Sequence, residues 1–424
     1  MTQDSLALQA IRKKLVGKIL NYKEIFAIMD AISHDRLSPI LTTYFAASGY
    51  SKGFTDDEMY YLTKAMIETG EKLEFKGIVA DKHSIGGVPG TRTTLIVIPI
   101  VAAAGFRIPK SSSRAITTPG GTGDDMEVLA PVTFNKEQIY RIVEKTNACI
   151  VWGGSVDIAP ADDELIKVEE PLMFESFDKI LVSIMAKKIA FSSNHIVIDL
   201  PYGPHVKVHN KSDADILARK FEYLAKRFNV TLQVFVHDTH EPSGRGVGPL
   251  LETRESLKVL EQTEDRPLDL EEKALILAGM LLDLCLKDSP KKLQQQVKQE
   301  FGNGRNWASY ILSSGHAHKK MQEIIKAQGG DSDIISDKLT PGAHTFAIKA
   351  KEDGVVKDIN SANVSVIAKI LGAPTQKKSG MYLHKKAGEV IKSGDIIITL
   401  YSESEKNLKE AKDSLANFPM LSYI

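Results

Sequence analysis

The chain has 424 residues, 43% of them hydrophobic, which is enough for a large buried core shared between two or three domains. Its 54 lysines and arginines balance 54 aspartates and glutamates, which excludes the global basic field of a nucleic-acid binder and points to a small, locally charged ligand. Only Cys149 and Cys285 are present, so no disulfide framework is expected; the polar start lacks a signal-peptide core and no run of about 18 apolar residues occurs, so a cytoplasmic globular protein is the expectation.

Residues 5–70 predict successive amphipathic helices, "SLALQAIRKKLVGKIL", "YKEIFAIMDAI", "LSPILTTYFAASGY" and "TDDEMYYLTKAMIETG", with Ser5 and Asp56 at N-cap positions. From residue 77 the pattern changes to short apolar runs alternating with helical segments. These runs are "GIVADKHSIGG", "TLIVIPIVAAAGF", "NACIVWGG", "NHIVIDLPYG" and "VTLQVFVHD", as in an α/β sheet flanked by helices. A helical stretch at about 161–192 interrupts them and is expected to pack back on the N-terminal helices, leaving a cleft between two lobes. After Gly330 the chain turns strand-rich, with "HTFAIKAKEDGVVKDI", "SVIAKILGA" and "GEVIKSGDIIITLYS". The expected architecture is therefore α/β with a small all-α lobe, residues 1–75 completed by about 161–192. A larger α/β domain takes 76–160 and 193–330, and a strand-rich α+β domain takes 331–424.

Two stretches concentrate hydrogen-bond donors. "ADKHSIGGVPGTRTTL" runs from a strand end through Lys82, His83 and Ser84 and glycines 86, 87 and 90 into a helix beginning near Thr91–Thr94. Glycines let backbone N–H groups approach an anion, a helix start adds a favourable dipole, and lysine and hydroxyls supply donors. The spacing is not that of a Walker loop, and an ordinary strand-to-helix turn is the plain alternative. The second stretch, "SSSRAITTPGGTGDDMEVL", follows the strand "FRIPK" and offers Ser112, Ser113, Arg114, Thr117, Thr118 and Thr122 around Gly120 and Gly121. Alone it would read as a solvated loop, but two such loops in one α/β unit favour a ligand. In "LVSIMAKK", Ser183 and Lys187 stand four apart and share a helix face, where a lysine is otherwise simply solvated.

Taken in this order and spacing, "DKHSIGG", "SSRAITTPGGTGDDMEVL" and "APADD…SIMAKK" resemble the thymidine and pyrimidine-nucleoside phosphorylase family over nearly the whole chain. "GGVPGTRTT", "SSRAITT" and "IDLPYG" resemble in particular the branch containing AMP phosphorylases and bacterial enzymes named thymidine phosphorylases by similarity. Members of that branch usually carry an extra N-terminal domain, which this chain lacks; trimming or cleavage is the expected reason. The resemblance implies a homodimer built through the helical lobe, and reversible phosphorolysis of a nucleoside or nucleoside 5′-monophosphate to free base and pentose 1-phosphate. Inorganic phosphate would be a co-substrate, with no cofactor and no metal.

Matched positions imply that Lys82, Ser84, Thr93, Ser112 and Thr122 hold phosphate. Gly87, Ser113, Arg114, Ala115, Ile116, Thr117, Thr118 and Thr122, with Ser183, Lys187 and Lys207, would surround the nucleoside or nucleotide. A pyrimidine-reading arginine of the family falls near Val168 and a family histidine is replaced by Thr118, which argues against thymidine preference. AMP phosphorylases place an acid eight residues before the helix serine; that position is Glu175, with Asp178 a rival. Glu175, together with Lys82, is thus the catalytic candidate, as proton donor to the leaving base. The alternative is an acid that merely favours a helix start.

His237 and His240 have metal-like spacing without a third ligand and are expected in a surface loop. "SPKKLQQQVKQE" and "HAHKK" read as solvated helix faces, and "KAGEVIKSGDIIITL" as a structural β motif without an attachment lysine. Two other functions compete: a Mg-dependent phosphoribosyltransferase of the anthranilate type, and a catalytically silent nucleotide-binding protein.

Overall fold

A computed structural model describes residues 2–115, 118–169 and 176–424. Four helices open the chain: α1 (Gln3–Leu15), α2 (Tyr22–Ser33), α3 (Pro39–Lys52) and α4 (Asp56–Glu68). Their caps lie one to three residues earlier than the sequence pattern suggested. Thr2, not Ser5, caps α1 by accepting from Ser5 N. Thr55, not Asp56, caps α4, because Glu58 returns its carboxylate to Thr55 N and completes a capping box; Asp56 becomes an acid of the first turn.

The central unit runs β1 (Ala80–Ser84), α5 (Thr94–Ala103), β2 (Ile108–Ser112), α6 (Thr122–Met126), α7 (Lys136–Thr146) and β3 (Ala148–Trp152). Then come α8 (Pro160–Glu169), α9 (Phe177–Ala190), β4 (His195–Tyr202), α10 (Lys211–Arg227), β5 (Thr231–Asp238) and β6 (Gly246–Val247). Helices α11 (Pro249–Glu261), α12 (Leu268–Lys287), α13 (Lys291–Glu300), α14 (Gly304–Ser313) and α15 (His316–Ala327) follow. Strands β1, β4 and β5 pair in parallel, as do β2 and β3, and a parallel bridge between Val79 and Arg107 joins the two sets. The order is β3-β2-β1-β4-β5, so the chain winds outward from β1 through β3 and then crosses to β4. Such a reversal leaves a crevice at the carboxyl ends of β1 and β4, where ligands of open α/β sheets bind.

Alternation along β4 joins the two lobes. Ile196, Ile198 and Leu200 enter the core of α1–α4, while Val197 enters the opposite core with α5, α11 and α12. Helices α8 and α9 contribute Leu165, Leu181, Val182 and Met185 to the first of these cores. The apolar run at 94–103, grouped above with the short apolar segments, is a helix, α5, which begins at Thr94 where the glycine loop was expected to run into one. It is buried on every side, so it carries no amphipathic period to distinguish it from a buried strand.

The last unit comprises β7 (His344–Lys349), β8 (Gly354–Ile359), α16 (Ser361–Ile370), β9 (Gly380–Leu383), β10 (Val390–Ile391), β11 (Ile396–Ser402), α17 (Glu405–Ser414) and β12 (Leu421–Tyr423). "SVIAKILGA", read above as part of a strand-rich texture, lies mostly in α16, where Val364, Ile367 and Ala368 repeat at helical spacing against the domain core. Antiparallel pairing of β6 with β9 stitches this unit to the α/β domain.

Candidate active site

Strand β1 delivers its polar residues to the carboxyl edge in two sets, because neighbouring side chains point to opposite faces. Lys82 and Ser84 form one set. Lys82 is 1% exposed, and its ammonium donates to Ser84 Oγ at 2.5 Å, Thr93 Oγ1 at 2.7 Å and Thr94 Oγ1 at 3.3 Å. These partners are hydroxyls, so the charge is solvated without being neutralised by direct contact. Burial pushes Lys82 down to about 7, with Asp199 acting against the fall. Ser84 Oγ in turn donates to Asp199 Oδ2 at 2.6 Å. His237 Nε2 lies 2.8 Å from Asp199 Oδ1 and Lys273 Nζ lies 3.4 Å from Oδ2. Burial opposes ionisation of Asp199, but Lys273, the His237 hydrogen bond and Lys82 hold it well below the usual carboxylate range. His237 therefore belongs to β5 and backs the site, contrary to the surface-loop expectation; His240, with a largely exposed side chain, fits that expectation.

Asp81 and His83 form the other set. Asp81 is fully buried between Lys110 at 3.1 Å and Lys188 at 2.8 Å. Lys110 also donates to Lys82 O at 2.9 Å, and Lys188 to Ser111 O at 3.3 Å. Helix α9 is thereby fastened against the ends of β1 and β2. His83 is held well below its ordinary value by burial and then by Lys188, Lys110, Lys82 and Lys207, so its ring is neutral. In the glycine loop, Gly87 has φ +97°, and a Cβ there would stand 2.9 Å from Lys207 N. Two candidate residues thus touch through backbone that admits no side chain.

The second loop is closed by Asp124. Its Oδ2 accepts from Ala115 N at 2.7 Å and Gly121 N at 3.1 Å, drawing residues 115 and 121 together, while Lys377 of the last domain donates to Oδ1 at 2.9 Å. Arg114 forms a two-pronged pair with Glu127 at 2.7 and 2.8 Å and lies over the Trp152 ring. Its guanidinium thus braces the loop. Thr118 Oγ1 donates to Gly120 O at 2.9 Å. Arg92, from the first loop, donates to Gly120 O at 2.7 Å and Glu252 at 2.8 Å and lies 2.5 Å from Asp125, locking the two loops together. Among the described residues Ser112 Oγ is buried without a hydrogen-bond partner, and it packs beside Gly123, next to half-buried Thr122.

On α9, Ser183 donates to Asp162 Oδ2 at 2.6 Å, and Lys187 pairs with Asp162 and Asp163, each at 2.9 Å. Burial works against the Lys187 ammonium, but the two aspartates raise it above its ordinary value. Asp178 accepts from Phe54 N at 3.2 Å and pairs with Lys220, which commits it to packing α9 between the loop before α4 and α10. Val168 packs against the helical core. Ile116, Thr117 and Glu175 lie outside the described residues.

The structure joins Lys82, Ser84 and Thr93 directly, sets Gly87 against Lys207, and ties Ser183 to Lys187 through Asp162. The connecting residues Arg92, Asp124, Asp162, Asp199 and Lys377 were not singled out from the sequence. Asp199 carried a signal: a carboxylate inside the apolar run "HIVIDL" must find partners when buried.

Three family models cover most of the chain. They are described as the glycosyl transferase family helical bundle domain (residues 8–70), the a/b domain of the same family (residues 76–317) and the pyrimidine nucleoside phosphorylase C-terminal domain (residues 355–418). The chain belongs to the glycosyl transferase family of nucleoside phosphorylases. Among its relatives, an AMP phosphorylase of Thermofilum pendens is 43% identical over 409 residues, spanning 96% of this chain and 76% of that protein. A protein named "Putative thymidine phosphorylase" from Legionella pneumophila is 41% identical over 410 residues, covering 96% and 76%. Among solved structures, anthranilate phosphoribosyltransferase from Thermus thermophilus aligns with a TM-score of 0.61 at 16% identity, over 75% of this chain and 99% of that one. The structural likeness shows the shared fold. This phosphorylase family's three parts coincide with the helical lobe, the α/β domain and the last unit.

Proposed function

We propose that this chain catalyses reversible phosphorolysis of a nucleoside 5′-monophosphate or nucleoside, with inorganic phosphate attacking the anomeric carbon to give free base and pentose 1-phosphate. The observation that carries this reading is the buried Lys82 ammonium, solvated by hydroxyls and lying at the carboxyl edge of a switched parallel sheet. A phosphate there would be desolvated and aimed by Lys82, Ser84 and Thr93, with the buried Ser112 hydroxyl and Thr122 on its other side. Such positioning of two reactants contributes about 7–11 kcal/mol of barrier reduction. Ser113, Ala115 and Thr118 then wrap the sugar and base from the loop that Asp124 closes and Arg114 braces, and the family resemblance gives Ile116 and Thr117 the same role. Ser183 and Lys187 face the base, Gly87 and Lys207 complete the nucleotide wall, and Glu175 protonates the departing base. As the sugar becomes oxocarbenium-like and the base gathers negative charge, cations and a proton donor near the base stabilise the transition state more than the ground state.

The AMP phosphorylase relatives favour a nucleoside 5′-monophosphate, and Thr118 in place of a pyrimidine-reading histidine agrees. The test is base release from AMP, CMP, UMP, uridine and thymidine, with and without phosphate, in the presence of EDTA. Strict phosphate dependence and loss of all turnover in Lys82→Ala are expected. Turnover that needs Mg²⁺ and a pyrophosphorylated sugar would replace this reading with the phosphoribosyltransferase chemistry of the structural neighbours, and nucleotide binding without turnover would replace it with a silent binder.

Assembly as a homodimer through the helical lobe has support in exposed Val16, Ile19, Ile40 and Tyr44 on α3 and the turn after α1, apolar surface that a second copy would cover. Sedimentation of wild type and Ile40→Asp should show a dimer and a monomer respectively; two identical profiles would refute this face. A cytoplasmic setting fits the two free, buried thiols.

A further inference from the structure

The last domain supplies none of the candidate substrate residues, yet two of its charged side chains reach the loops that carry them. Lys377, in the link between α16 and β9, donates to Asp124 Oδ1 at 2.9 Å and pairs with Glu127 at 2.9 Å. Its backbone is fixed on the other side: Leu250 N, at the start of α11, donates to Lys377 O at 3.0 Å, and a Cβ on Gly248 would stand 2.5 Å from Ser379 O. The ammonium thus extends from a rigid base and ends on the acid that draws residues 115 and 121 together.

Asp358 lies within β8, opposite Ser422 of β12, and accepts from His205 Nε2 at 2.9 Å. An imidazole with its proton on Nε2 makes this bond whether the ring is neutral or charged. His205 stands two residues before Lys207, in a turn that Gly203 N closes by donating to Val208 O at 2.9 Å. Gly87 packs against Lys207 N, so Asp358 steadies one side of the backbone contact between two candidate nucleotide residues.

The donors expected to meet phosphate are held within the α/β domain instead. Lys82 bonds Ser84 and Thr93, and Ser84 bonds Asp199. A third attachment of the last domain, Ala387 N to Glu241 at 2.8 Å, fastens the loop after β5, whose Ser243 N and Gly244 N bond Thr91 Oγ1 and Gly90 O at 2.9 Å each. Removing Lys377 or Asp358 leaves that attachment and the Lys82 cluster in place while loosening one nucleotide loop. A misplacement of about 1 Å in a positioning element can cost about a hundredfold in rate, so even partial loosening is measurable.

We propose that the last domain clasps the nucleotide half of the site through two positioning residues: Lys377 sets the loop that Asp124 closes, and Asp358 sets the Lys207 turn through His205. Neither touches substrate. The two contacts act on separate loops, so their effects are independent. The proposal rests on the phosphorolysis reading and gives the third domain a role within it.

Steady-state base release from AMP, with AMP and phosphate each varied in turn, is measured for the full chain, Lys377→Met, Lys377→Arg, Asp358→Ala, Asp358→Asn and the double variant Lys377→Met/Asp358→Ala. The Michaelis constant for AMP should rise about fivefold in Lys377→Met, which strips a buried carboxylate of a charged donor. It should rise about threefold in Asp358→Ala, whose pair with His205 is partly open to water. Effects on separate loops multiply, giving about fifteenfold in the double variant. The constant for phosphate should stay at the wild-type value throughout. Lys377→Arg keeps a cation and Asp358→Asn keeps an acceptor, so both should remain near wild type, which separates a lost contact from a damaged fold. In a Lys207→Ala background Asp358→Ala should add nothing, whereas Lys377→Met should still add about fivefold. Parallel rises for AMP and phosphate, or an unchanged constant for AMP in both single variants, overturn the clasp and leave phosphorolysis standing. A wild type that releases no base from AMP in the presence of phosphate overturns the nucleotide reading and the proposal together.

Discussion

Replacing Lys82 with methionine should remove activity and yet make the phosphate-free protein more stable. The ammonium is buried at 1% exposure, and burial lowers it from 10.5 to about 7. At about 1.4 kcal/mol per pH unit, that depression represents about 5 kcal/mol of folding free energy held against the charged form. The hydrogen bonds to Ser84, Thr93 and Thr94 return about 1 kcal/mol each, leaving a net advantage of about 2 kcal/mol to Lys82→Met at pH 6. The sign with pH follows from linkage. Below about 7 both folded and unfolded chains carry the ammonium and the penalty is complete; between about 7 and 10.5 the folded chain has shed the proton that the unfolded chain keeps, so the penalty shrinks as pH rises. By pH 9 about 3 kcal/mol of it has gone and the variant's advantage with it. The assay is denaturation in urea at pH 6 and 9 in phosphate-free buffer, repeated with phosphate at about 100 times its dissociation constant, which should stabilise wild type by about 2.7 kcal/mol and the variant not at all. A variant less stable than wild type at pH 6, or equally stabilised by phosphate, would refute the reasoning.

Other outcomes follow from single contacts. Asp124→Ala removes the acceptor that joins Ala115 N to Gly121 N and leaves Lys377 with Glu127 alone, so the Michaelis constant for nucleotide should rise about tenfold or more, with a smaller change for phosphate; equal changes for both substrates would count against a loop clamp. Gly87→Ala places a side chain at φ +97° and 2.9 Å from Lys207 N, at a cost of about 1–3 kcal/mol, and should lower thermal stability and nucleotide affinity together. Burial pushes both Cys149 and Cys285 up to about 12, so neither thiol should react with a disulfide reagent at pH 8 until urea unfolds the chain. Rapid labelling of the native protein would contradict that burial. Asp162→Asn loosens Ser183 and Lys187 at once and should reduce turnover more than Asp163→Asn, since Asp162 alone meets both; the ratio of kcat values checks it.

Much of this was legible in the chain itself. Local sequence marks the helices of residues 3–68 through spacing and capping residues, the parallel strands through short apolar runs, and both donor-rich loops through glycines beside serine, threonine and lysine. Spacing on one helix is enough to pair Ser183 with Lys187. Where burial is complete the periodic signal fails: α5 is apolar all round, so no amphipathic period marks it, and only the glycine-to-threonine turn near Thr91–Thr94 announced its start. Tertiary structure alone decided which charges meet. Asp199, His237 and Lys273 come from β4, β5 and α12, and Lys377 reaches the Asp124 loop from another domain. A buried charge is tolerable only with partners, but the sequence does not say which distant residues those partners are; strand order and helix packing do. Hence the donors around a phosphate could be read from the sequence, whereas the network that sets their protonation and holds their loops closed exists only once the chain has folded.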